Sequence, residues 1–132
     1  MQQPDRRTQV TCGALRLYSY RACSTCRKAQ DWLNDQRLAH DVIDITTQPP
    51  TLAELSLALA QLGRKRLLNT SGQSYRALGA QAVAAMDDAQ LLAVLAADGR
   101  LIKRPVLIAA DTTGEQRVLT GFRPQEWQDL LG

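Results

Sequence analysis

The sequence predicts an α/β domain built as β-α-β, then a helical insertion of about fifty residues, then β-β-α. Three observations carry that prediction. Apolar, alternating or β-branched runs stand at residues 14–18, 40–45, 101–110 and 117–119, as short strands do. Helical periodicity with matching start residues follows the first run and the last. Between about residue 50 and about residue 100 the pattern is helical throughout.

Taken in order, residues 1–12 read as a flexible N-terminal extension and 13–132 as one domain. Ala14 to Tyr18 is the first strand. Cys26, Ala29, Trp32 and Leu33 then share one helical face, with Ser24 or Thr25 as the expected N-cap. His40 to Ile45 reads as a second strand with Ile43 and Ile45 on one side. A strand–helix–strand unit implies a parallel pair with a right-handed crossover. Thr51-Leu52-Ala53-Glu54 is a capping box; Leu52, Leu55, Leu59 and Leu62 form the apolar stripe behind it, and Gly63 stops the helix.

Arg64-Lys65-Arg66 reads as solvated surface, and Leu67 to Leu78 as a turn and a short helix. The next helix begins near Asp87, carries Leu91, Leu92 and Leu95, and ends at Asp98-Gly99. Pro105 heads the apolar run to Ala110, a position where a strand tolerates its missing N–H. Asp111 to Gly114 is a turn, so Arg117 to Leu119 returns as the second arm of a hairpin. Pro124 suits the first turn of a closing helix, with Phe122, Trp127, Leu130 and Leu131 directed inward.

Composition excludes several classes. The 132 residues suffice for one core without staples, and 45% hydrophobic with 22% charged residues rules against disorder. A net charge of +3 is too small to imply nucleic-acid binding, though it suits a site that handles anions. No apolar run approaches the roughly 18 residues of a membrane span. The N-terminus lacks the apolar core of a signal peptide. Three cysteines are too few, and odd in number, for a secreted disulfide framework. A cytoplasmic monomer with neither membrane attachment nor direct nucleic-acid contact is expected.

The chemistry concentrates in Cys23-Ser24-Thr25-Cys26. Two cysteines three apart, after a strand and at a helix start, suggest a redox dithiol. The helix N-terminus favours a thiolate there, and Arg27 and Lys28 add positive charge. Cys23, ahead of the helix and facing outward, is the expected nucleophile; Cys26, in the first turn and facing partly inward, is the resolving thiol. Cys12 reads as an incidental thiol, with a second resolving thiol as its alternative. A zinc site from Cys12, Cys23, Cys26 and His40 matches no common ligand spacing, so no metal and no bound cofactor are expected. A β-α-β…β-β-α frame with a dithiol after its first strand is the thioredoxin arrangement carrying a helical insertion.

Four segments in order, C-S-T-C-R-K-A, L-L-N-T-S-G-Q-S-Y-R-A-L, I-K-R-P-V-L-I and T-G-F, resemble the arsenate reductase (ArsC)/Spx family from about Leu15 onward. The resemblance implies a thioredoxin-like fold with Pro105 as a cis-proline facing the dithiol. It implies Cys23 as the catalytic cysteine and Arg104 as the arginine that faces it and binds an oxyanion, with Arg123 as a further oxyanion-binding candidate; Arg27 is another by its charge beside the dithiol. On the arsenate reductase side it implies a small oxyanion or thiol substrate and glutathione or thioredoxin as reductant. On the Spx side it implies a Cys23–Cys26 disulfide switch and, at Gly63, a contact with the C-terminal domain of the RNA polymerase α subunit. Two positions depart from the arsenate reductase pattern: Ser19 stands where a histidine is usual, and Ser71 where an arginine is usual. Lys65 or Arg66 is the nearby candidate to replace the latter.

Overall fold

In the computed structural model, which describes residues 15–111 and 113–131, strand β1 (Leu15–Ser19) leads through helix α1 (Ser24–Asp35) to strand β2 (Asp41–Asp44). The insertion follows as helices α2 (Leu52–Leu62), α3 (Arg64–Leu67), α4 (Gln73–Leu78), α5 (Ala80–Ala85) and α6 (Asp88–Ala97), then a 3₁₀ turn at Gly99–Leu101. Strands β3 (Val106–Ala110) and β4 (Gln116–Thr120) form the hairpin, and α7 (Pro124–Leu131) closes the chain. The sheet order is β2-β1-β3-β4: β1 pairs β2 in parallel and β3 antiparallel, and β3 pairs β4 antiparallel. The expected α/β frame is the observed one. The residue 1–12 extension and Cys12 lie outside the described residues.

Alternation along the two central strands splits the interior into two cores. Leu15 and Leu17 of β1, with Leu107 and Ala109 of β3, pack against Ala29 and Leu33 of α1 and Trp127 and Leu131 of α7. Tyr18, Val106 and Ile108 point the other way, toward Leu55, Ala58, Leu67, Leu91 and Leu95 of the insertion. On the first side Trp32, Phe122 and Trp127 form an aromatic group, with Phe122 and Trp127 edge to face at 5.0 Å. No helix among the described residues is long and apolar enough to cross a membrane.

Several local expectations are corrected. The N-cap of α1 is Cys23 rather than Ser24 or Thr25: its backbone is extended, and its sulfur accepts the Cys26 N–H. The capping box at Thr51 forms, but the buried face of α2 is Glu54, Leu55 and Ala58, while Leu52 is 56% exposed. Leu52 is the first helical residue and turns to solvent, whereas Glu54 turns inward. There Glu54 accepts from the Tyr18 hydroxyl at 2.7 Å and from Arg16, both projecting from one face of β1. Helix α5 adds an element that the sequence pattern does not announce.

The outer rim of β4 is also occupied. The Gln61 side chain donates to the Gln116 carbonyl at 3.0 Å and accepts from the Val118 N–H at 2.9 Å, as a neighbouring strand would.

Candidate functional site

Parallel pairing brings the C-terminal ends of β1 and β2 together, and β3 starts at the same end of the sheet. The segments that leave this end carry the candidate chemistry. After β1 the chain turns, with the Cys23 N–H bonded to the Tyr20 carbonyl at 2.9 Å, and α1 begins with Cys23 as its cap. The Cys26 N–H donates to Cys23 Sγ at 3.3 Å, and the Tyr20 N–H donates to Cys26 Sγ at 3.4 Å. Both cysteines are free thiols, Cys26 buried and Cys23 half-buried.

Across from them the Arg104–Pro105 peptide bond is cis, and the Arg104 guanidinium lies 5.1 Å from the centroid of the Tyr20 ring. Partial burial works against a Cys23 thiolate. Hydrogen bonds from the Cys26 thiol, the Cys26 N–H and Arg104, together with the Arg104 charge, outweigh it, so the Cys23 pKa falls below its ordinary value. Cys26 moves the other way. Burial, then its hydrogen bond to Cys23 and the charge beside it, push Cys26 up to about 11, against hydrogen bonds from the Tyr20 N–H and the Ser19 side chain. The two sulfurs are therefore separated in acidity, with the half-buried Cys23 ionising first.

The remaining candidates lie elsewhere or have other partners. Arg27 is exposed and donates to the Arg21 carbonyl at 3.0 Å. Arg123 is 63% exposed and sits 3.9 Å from Glu126, one turn away. Gly63 joins α2 to α3 with φ +83°, a conformation that favours glycine, and a side chain there would meet nothing within 4 Å. Arg66 does not replace an arginine at Ser71: it holds Glu126 at 2.7 and 2.9 Å and donates to the Thr120 carbonyl. Arg64 is likewise bound to Asp88 and the Met86 carbonyl. Lys65 is exposed. His40 Nδ1 meets the Leu38 carbonyl at 2.9 Å. Among the described residues no three His, Cys, Asp or Glu side chains gather as metal ligands.

Beside Arg104 opens a cleft of about 350 Å³ that sequence reasoning missed, lined by Tyr20, Thr46, Asn69, Gly72, Gln73, Ser74, Arg100 and Arg104. Its parts come from five separate stretches of chain. The run Asn69 to Ser74, polar and glycine-containing between the Leu67-Leu68 pair and the Tyr75–Leu78 segment, is the one legible signal. Arg100 gave none, since a lone arginine after a helix reads as surface.

The ArsC family model matches residues 18–130. An uncharacterised Bacillus subtilis protein, YusI, is 36% identical over 88% of this chain and 97% of its own. The global transcriptional regulator Spx of Listeria innocua is 24% identical over 87% of this chain and 85% of its own. A crystal structure described as a possible arsenate reductase from Streptococcus mutans superposes with a TM-score of 0.76 at 38% identity, covering 89% of this chain and 97% of that one.

Proposed function

The chain belongs to the ArsC family and has its thioredoxin-like fold, and from that premise we propose that it is a thiol–disulfide oxidoreductase with Cys23 as nucleophile. One observation carries this reading: the Cys23 sulfur accepts a backbone N–H at the start of a helix with Arg104 beside it, and its pKa is lowered. A thiolate so held attacks one sulfur of a disulfide; the Cys23–S bond forms, the substrate S–S bond breaks, and a thiolate leaves. Bonding Cys23 removes the charge and the hydrogen bond that raise the Cys26 pKa. Cys26 then loses its proton to the departing thiolate and attacks Cys23, so the protein disulfide forms and the second substrate thiol is freed. Two electrons pass from the protein dithiol to the substrate. Glutathione or thioredoxin restores the dithiol. An oxyanion such as arsenate is the alternative electrophile, held by Arg104.

The test is single-turnover reaction of the reduced protein with a small disulfide, beside arsenate turnover coupled to glutathione or thioredoxin. The parent should exchange faster than a free cysteine at neutral pH, and Cys23→Ser should lose the reaction while staying folded, because serine serves as an N-cap. Exchange no faster than free cysteine sinks the reading.

The likeness to Spx over most of the chain favours a second reading, a redox-switched regulator binding the RNA polymerase α subunit through a Cys23–Cys26 switch, with Gly63 at the contact. Binding of the isolated C-terminal domain of α in one redox state supports it; no binding in either state removes it.

A further inference from the structure

Tyr20 stands between β1 and the dithiol, and its backbone and its ring meet different partners. The backbone serves both cysteines: the carbonyl accepts from the Cys23 N–H at 2.9 Å, and the N–H donates to Cys26 Sγ at 3.4 Å. The ring has no part in the scheme above. It is half-buried against the core on the insertion side, and the Arg104 guanidinium lies over it, 5.1 Å from the centroid. Three other arginines are fixed in a different way. Arg16 pairs with Glu54, Arg64 with Asp88 and Arg66 with Glu126. Among the described residues Arg104 has no carboxylate at ion-pair distance. An aromatic face takes the place that a carboxylate holds elsewhere in the molecule.

We propose that Tyr20 is a positioning residue for the thiol chemistry, its ring holding the Arg104 guanidinium toward Cys23 without neutralising it. The proposal rests on the reading of Cys23 as nucleophile. The reason is electrostatic. A carboxylate would fix Arg104 more firmly, but its negative charge would oppose a thiolate close by. An aromatic face attracts a guanidinium through its quadrupole and carries no net charge. Arg104 therefore keeps its full charge for Cys23, whose sulfur accepts a hydrogen bond from it. The core fixes the ring, the ring fixes the cation, and the cation meets the sulfur.

Replacing the side chain of Tyr20 leaves both of its backbone bonds in place, so the ring is tested alone. Iodoacetamide alkylation of Cys23 is followed across pH in the full-length chain, with Cys12 replaced and each adduct assigned by peptide mass. Single-turnover exchange with a small disulfide is measured beside it. Tyr20→Leu should move the alkylation midpoint to higher pH and slow exchange near neutral pH about threefold. Tyr20→Phe keeps the ring and should match the parent. Tyr20→pentafluorophenylalanine keeps the shape but reverses the quadrupole, so it should behave as the leucine variant or worse. In an Arg104→Gln background, where no cation remains to be held, Tyr20→Leu should move the midpoint no further. An unmoved midpoint in the leucine and fluorinated variants overturns the proposal, whatever their stability in urea. So does an equal shift with and without Arg104, since the ring would then act through packing alone. If the parent midpoint is not below that of free cysteine and its exchange is no faster, the reading of Cys23 fails instead, and the role of Tyr20 with it.

Discussion

Cys23 performs two tasks with one sulfur. It caps α1, and by accepting the Cys26 N–H it becomes a better anion, so helix formation and thiolate stabilisation are the same hydrogen bond. Arg104 supplies the other part, a hydrogen bond and a charge. The rate of Cys23 alkylation should therefore follow a thiolate fraction whose midpoint lies below the ordinary value of 9.0. Arg104→Gln removes the charge and weakens the hydrogen bond by which this one residue lowers the pKa, so its profile should shift to higher pH. Its rate near neutral pH should fall by up to about tenfold for each pH unit of that shift. Iodoacetamide alkylation across pH, with Cys12 replaced and each adduct assigned by peptide mass, measures both; an unmoved midpoint would falsify the role given to Arg104. Cys26, titrating at about 11, should stay unmodified in the same range.

At the scale of elements, Glu54 joins three structures. It is the third residue of a capping box, a buried carboxylate at 7% exposure, and the acceptor for Tyr18 and Arg16 on β1. Glu54→Ala leaves a buried hydroxyl without its acceptor, an arginine without its partner and a helix without half its cap. The expected loss is about 3 kcal/mol by urea titration. Glu54→Gln keeps the cap and an acceptor, so it should lose roughly 1 kcal/mol. The cap was readable because T-L-A-E is local. The burial was not, because Arg16 and Tyr18 lie far away in sequence and nothing local says that α2 starts over that face of β1. The sulfur cap of α1 escaped for another reason: cysteine is outside the usual capping residues, so Ser24 and Thr25 looked better. Helix α5, six residues of mostly alanine between Gly79 and Met86, had too little periodicity to declare itself.

For the whole molecule, the two cores share β1 and β3, so neither side can loosen without baring the back of the other. Leu33 and Leu95, fully buried on opposite faces, should each cost about 2–5 kcal/mol when changed to alanine. Both tryptophans lie on the α1–α7 side, so their fluorescence reports one core, while circular dichroism reports mainly the helices of the other. The two signals should trace one urea transition in each variant; separated midpoints would show the insertion unfolding by itself. The strands and the dithiol were legible because each is a local pattern. The cleft was not, since Tyr20, Thr46, Asn69, Arg100 and Arg104 meet only after the sheet closes and Gly99 presses against Ile45. The side chain of Gln61 bears on a different property, self-association. By taking the Gln116 carbonyl and the Val118 N–H, it removes part of the template that β4 would offer a strand from another copy. The opposite rim is β2, four residues long with an aspartate at each end, so chain-to-chain growth of the sheet into fibrils is discouraged on both sides.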